Sequence, residues 1–199
     1  EFDLKIDFNL SVENTDSTDF IVKSMQSLRP FLLSNNPDIV VVMGDTNTTL
    51  ASALAAHKLE FKVAHIESGM RCWSRERPEE INRIVTDNLS DIHFTSRRQD
   101  DVNVENPVYA GDLEYVLLHK MEEEGTIPTP AYEDFILMTI HRNENTTVNR
   151  ISEIFDNCQK SEHKFIFPIH HRTKQIVDKE GISVPGNVEL IDPVGYFEI

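Results

Sequence analysis

Four ionisable residues fall at the ends of short apolar runs: Asp45 after VVVMG, Glu67 after VAHI, His141 after ILMTI and His170 after IFPI. Unbroken apolar runs of this length read as strands, and in open parallel sheets ligands bind beyond the carboxyl ends of the strands. Carboxyl groups gathered there can carry protons, because neighbours push one another's pKa values apart and leave one protonated beside one ionised.

Each residue also has a plainer reading. Asp45, in GDTNTT, suits a helix N-cap for the TNTTLASALAAHK segment. It does not open a phosphate loop, since no GxxxxGK[ST] follows. Glu67 lies in HIESGMR with His65, Ser68, Gly69 and Arg71; Gly69 permits a tight turn, so a polar turn residue is the alternative to a reactive one. In segment 78–90, Ile81, Ile84, Val85, Leu89 and Ile92 take one side, and Glu79, Asn82, Arg83 and Thr86 the other. That polar side is either a solvated face with a Glu79–Arg83 pair or the wall of a cleft, with Glu79 near the strand ends. HRNENTT (141–147) and HHRTK (170–174) place His141, Arg142 and His170 where an anion such as a diphosphate would sit, or where a turn would need capping. A metal site built on His65 and Glu67, or on His170 and His171, is a weaker reading, because no spacing matches a metal motif; none is expected.

The elements that must hold these residues alternate. Strands are predicted over 38–45, 62–68, 91–96, 106–112, 134–141, 164–171 and 187–192, with the 39–43 run IVVVM buried on both faces. Helices are predicted over 17–34, 46–58, 78–90 and 148–161, the third opening on Pro78. This alternation predicts α/β architecture with parallel sheets. Residues 121–134, acidic and holding two prolines, read as a linker. The expected division is a first domain over 1–122, a linker over 123–133 and a second domain over 134–199.

The net charge of −15 argues against nucleic acid and anionic lipid as partners, though a local basic pocket can still hold an anionic substrate. Cys72 and Cys158 have no metal-type spacing and read as reduced thiols of a cytoplasmic protein. No apolar stretch is long enough to insert in a membrane, and no signal peptide is seen.

Taken together, GDTNTTLASALAAHK, VAHIESGMR, RPEEINRIVTDNLSD, ILMTIHRNEN and FPIHHRTK resemble, in order and approximate spacing, the UDP-N-acetylglucosamine 2-epimerase family, the non-hydrolysing type foremost. The resemblance implies a two-domain fold of GT-B type, two Rossmann-like domains, here incomplete at both ends. It implies that Asp45, Glu67 and Glu79 are the acid/base carboxylates and His141 the essential histidine. Arg71, Asn82, Arg83, Arg142 and Glu144 match positions that line or brace the pocket, and His170 joins them as a substrate contact. The implied reaction inverts C2 of a UDP-N-acetylhexosamine, UDP-GlcNAc to UDP-ManNAc, for cell-surface polysaccharide precursors. A base takes the C2 proton as UDP leaves C1, giving a 2-acetamidoglycal, and UDP adds back with a proton delivered to the other face. No cofactor is implied, because the route has no redox step and the chain has no GxGxxG. The partners expected are a UDP-sugar and a second copy of the chain.

Three alternatives stand beside this. A hydrolysing epimerase would release the free sugar. The WSRERPEE segment resembles a branch that includes epimerases of diacetamido-uronic acid nucleotides. A non-catalytic sugar-nucleotide-binding fragment fits the shortness of the chain, which lacks the family's first βα unit and C-terminal segment and is short between Thr95 and Tyr109; the isolated fragment is expected to be inactive.

Overall fold

The structure, a computed structural model, describes residues 5–13, 16–140, 142, 145–196 and 198. Among them the chain divides into two compact units, 5–125 and 126–198.

In the first unit α1 (Ser17–Asn35) starts where the Asp16 carboxylate accepts the Thr18 and Asp19 N–H groups, and ends on Asn36 in the left-handed region. There follow β1 (Ile39–Met43), α2 (Asn47–Lys58), β2 (Lys62–Ser68), α3 (Pro78–Leu89), β3 (Ile92–Thr95), a 3-10 turn (Arg98–Asn103), β4 (Pro107–Tyr109) and α4 (Leu113–Glu123). The four strands form one parallel sheet in sequential order β1-β2-β3-β4. Its core is built from Leu32, Val42, Val63 and the small side chains of α2, Ala53, Ala55 and Ala56, which let that helix lie close to α1 and the sheet.

The second unit holds β5 (Phe135–Leu137), α5 (Val148–Gln159), β6 (Lys164–Pro168), α6 (His171–Glu180) and β7 (Val188–Ile191). Its three strands are again parallel, in the order β5-β6-β7, over a core of Ile140, Ile151, Phe155, Phe167, Ile169, Val177 and Val188. The predicted class, α/β with parallel sheets, is the class found.

Expectations for one strand and two helices need correcting. β1 is not buried on both faces: among the described strands it is the sheet edge, and Ile39, Val41 and Met43 are exposed, the last two at 56% each. Helices α4 and α6 occupy segments where none was predicted. No helix among the described residues is long and apolar enough to cross a membrane.

Candidate active site

β1 ends at Met43 and the chain turns through Gly44 at φ +74°, a backbone conformation that glycine adopts without strain. The turn is tied to the next strand, because the Gly44 N–H donates to the Ile66 carbonyl at 3.1 Å. The N-cap of α2 is Thr46, whose hydroxyl accepts the Thr49 N–H at 3.3 Å. Asp45 is therefore not the cap. Its carboxylate accepts from Arg83 Nη2 at 2.6 Å, and its carbonyl accepts from Asn82 Nδ2 at 2.9 Å. Asn82 also donates to Asn47 at 3.0 Å, so α3 grips the turn that bears Asp45 at two successive residues.

Glu67 sits in a β-bulge. The β2–β3 register slips between Ile66 and Ser68, and Glu67 takes φ +63°. Bulges re-aim side chains next to functional sites, and a non-glycine residue held in the left-handed region costs on the order of 1–3 kcal/mol. Here the side chain is brought to the Gly44 turn: a Cβ built on Gly44 would lie 3.8 Å from Glu67 Oε2. Burial lifts the Glu67 carboxyl above its ordinary value; the Arg83 guanidinium opposes the rise, and Asp45, Glu114 and Asp112 add to it. Asp45, Glu67 and Arg83 thus form one group at the carboxyl ends of β1 and β2.

Glu79 stands apart from them. It is exposed on the first turn of α3, and the i,i+4 pair with Arg83 is not formed, because Arg83 reaches Asp45 instead. The polar side of α3 is not solvated either: Asn82 and Thr86 are buried, as are Glu80 and Asp87 at the margin of the same arc, while Ile81 is exposed. Glu80 accepts the N–H groups of Cys72 and Trp73 at 2.8 and 2.9 Å, which fixes the loop of the CWSRERP segment. Burial pushes the Glu80 carboxyl up, but the hydrogen bonds of Cys72 and Trp73 and the Arg71 charge outweigh it and hold the group below its ordinary value.

The Arg71 side chain is buried and points at Asp87, with Nη1 2.6 Å from Oδ2. The same carboxylate meets His65 Nδ1 at 2.6 Å and the Gly69 N–H at 3.2 Å. His65 Nε2 meets the Gly44 carbonyl at 2.8 Å, so both ring nitrogens are engaged and neither is left for a metal. Three buried polar atoms find no partner among the described residues: Ser68 Oγ, Arg83 Nε and Thr86 Oγ1. Ser68 adjoins Glu67, and Arg83 and Thr86 lie on the α3 side that faces inward. Buried polar atoms are nearly always satisfied, and exceptions collect where ligands or water complete a site.

In the second unit Arg142 is exposed before α5, and the Asn145 and Thr146 N–H groups donate to its carbonyl. His170 is the N-cap of α6, its Nδ1 accepting the Arg172 N–H at 3.4 Å. His141 and Glu144 lie outside the described residues. Sequence reasoning missed Glu80 and Asp87; the signal available was their placement with Arg83 at i, i+3 and i+7 on one helix.

The family described as UDP-N-acetylglucosamine 2-epimerase matches residues 1–199. A UDP-N-acetylglucosamine 2-epimerase homolog of Methanococcus maripaludis is 38% identical over 197 residues, covering 88% of this chain and 54% of that protein. The UDP-2,3-diacetamido-2,3-dideoxy-D-glucuronate 2-epimerase of Pseudomonas aeruginosa is 34% identical over 210 residues, covering 98% and 59%. Among solved structures, the Methanocaldococcus jannaschii UDP-GlcNAc 2-epimerase in complex with UDP-GlcNAc and UDP superposes with a TM-score of 0.81 at 30% identity, over 98% of this chain and 60% of that one. The chain thus spans under two thirds of the length of these relatives.

Proposed function

This chain belongs to the UDP-N-acetylglucosamine 2-epimerase family, and we propose that the protein inverts C2 of a UDP-N-acetylhexosamine, interconverting UDP-GlcNAc and UDP-ManNAc. The observation that carries the reading is Glu67, a carboxyl held in a strained bulge against the Asp45–Arg83 pair. Strain of this kind persists where surrounding structure over-determines it, and it gathers at reactive sites.

The C2 proton is not next to a carbonyl, so direct removal is too slow, and elimination supplies the alternative. A carboxylate takes the C2 proton; the C–H electron pair forms the C1–C2 double bond, and the C1–O bond breaks with its electrons leaving on UDP. UDP then re-adds at C1 while a carboxylic acid delivers a proton to the opposite face of C2. Glu67, whose carboxyl burial holds above its ordinary value, is suited to carry a proton, and Asp45 is suited to exchange one from its place beside Arg83. Glu79 is the third carboxyl, and His141 and Arg142 serve the departing diphosphate. Each proton transfer contributes typically about 10²–10⁴-fold.

The test is turnover of UDP-GlcNAc by the full-length protein in D₂O, followed by NMR. Deuterium at C2 of substrate and product is expected; turnover without it rules out elimination. Glu67→Gln should lower kcat by about 10²–10⁴-fold, as should Glu79→Gln, and full turnover in both would remove the carboxylates from the mechanism. Release of free sugar instead of a UDP-sugar would indicate the hydrolysing variant.

A uronate substrate is the second reading. It is favoured by the similarity to the P. aeruginosa diacetamido-glucuronate epimerase and by Arg75 and Arg77 in the exposed loop before α3. Competing the two UDP-sugars in one assay decides between them by the ratio of kcat/KM values.

A further inference from the structure

We propose that Asp87 is a positioning residue: with His65 and Arg71 it forms a buried clamp that holds Glu67 in its left-handed bulge and so aims the Glu67 carboxyl at the Gly44–Asp45 turn. The proposal rests on the reading of Glu67 as a proton carrier, and gives that reading its structural support.

Glutamate gains nothing locally from φ +63°; short polar residues and glycine are the ones that tolerate this region. Something outside the bulge must hold it, and the Asp87 carboxylate is placed to do so. Oδ1 takes the ring of His65, two residues before Glu67, at 2.6 Å. Oδ2 takes the Gly69 N–H, two residues after Glu67, at 3.2 Å. A helix residue thus brackets the bulge on both sides. Arg71 adds a third tie, with Nη1 2.6 Å from Oδ2 and 2.8 Å from the Met70 carbonyl. Asn103 closes the far side, donating to the Gly69 carbonyl at 2.8 Å.

The clamp also reaches the second reactive carboxylate. His65 Nε2 is 2.8 Å from the Gly44 carbonyl, one residue before Asp45. Its two partners are a carboxylate and a backbone carbonyl oxygen, which fix the plane of the ring from both ends. Arg71, Asp87, His65 and the Gly44 carbonyl are thus joined in one continuous series of polar contacts. Its three side chains are out of water: His65 is fully buried, and Asp87 and the Arg71 side chain nearly so. His93, opposite His65 in β3, adds a further tie to the same residue, its Nε2 meeting the Asp87 carbonyl at 2.8 Å. Buried charge of this kind is tolerated only when fully paired, and its use is to fix one geometry more than to add stability.

The test is Asp87→Asn, which keeps the shape and an acceptor for one partner while removing the charge that serves three. Two readouts are taken on the full-length protein. The backbone couplings and Cα shift of Glu67 report its φ by NMR; in the variant Glu67 should leave the left-handed region, while the amide spectrum of residues 151–191 stays unchanged. Under saturating UDP-GlcNAc, kcat should fall by about tenfold to a hundredfold, the scale of lost support behind a functional residue, with little change in KM. If Glu67 keeps its φ, or if kcat is unchanged where the wild type turns over, the clamp is wrong. If the wild type turns over no UDP-sugar, the proposed reaction falls, and the Glu67 φ readout still decides the clamp. Should Asp87→Asn fail to fold, Arg71→Lys, which retains the charge and loses the fork, is read in the same two ways.

Discussion

Two glutamates thirteen positions apart in the chain have carboxyls driven in opposite directions by their surroundings. Burial raises Glu67, so its contribution to stability is present below the ordinary carboxylate value and is lost as pH rises through the raised one. Glu80 is lowered, so its contribution is present above the ordinary value and is lost as pH falls through the lowered one. The two substitutions to glutamine should therefore differ in sign. Glu67→Gln should raise the urea midpoint at neutral pH and leave it unchanged in acid. Glu80→Gln should lower it at neutral pH, by an amount that shrinks on acidification. Urea unfolding of both variants across that range checks this; parallel curves would contradict it. Asp45 and Glu67 were legible as candidates because a carboxylate at the end of an apolar run has few structural reasons to be there. Glu80 and Asp87 were not, because in sequence a buried helical carboxylate looks like any solvated one, and only its partners, seven and more residues away, tell them apart.

At the scale of elements, most strands could be read because parallel strands are continuous apolar runs, and the observed ones fall inside the predicted segments. Helix α3 shows where that logic fails. Its two sides separate by polarity as expected, yet Asn82 on the polar side and Asp87 at its margin are buried, because β2 and the Gly44 turn offer donors and acceptors in place of an apolar surface. Helix α6 is hard to read in sequence because Ile176 and Val177 are its only large aliphatic residues, too few to mark a helical period, and its basic residues suit an anion site equally well. Helix α4 went unread although Asp112 caps it, accepting the Glu114 and Tyr115 N–H groups. Gly69 stands at φ +79°, where an added Cβ would lie 2.5 Å from the Asp100 carbonyl oxygen. Gly69→Ala should therefore cost at least about 1–3 kcal/mol in backbone strain alone, more once the 3-10 turn is displaced. Urea unfolding measures it, and a loss below that range would mean the two backbones can separate freely.

On the scale of the whole molecule, the two units carry separate cores, and residues 122–131 between α4 and β5 are exposed and outside regular structure beyond Glu123. Limited proteolysis should cut first within this stretch and leave two resistant fragments, identified by mass spectrometry; a first cut inside α2 or α5 would contradict the division. The open edge of β1 has a further consequence. Val41 and Met43 stand exposed on a strand whose outer backbone groups meet no described strand, the kind of edge along which sheets stack into aggregates. A net charge of −15 keeps copies apart only while their fields overlap, and the screening length shrinks from about 10 Å at 0.1 M salt to about 3 Å at 1 M. The colloidal behaviour of the 199-residue chain taken by itself should therefore run opposite to that of a protein bound by ion pairs: light scattering climbs as sodium chloride is added, and Val41→Lys, a gatekeeper on the strand, suppresses the climb.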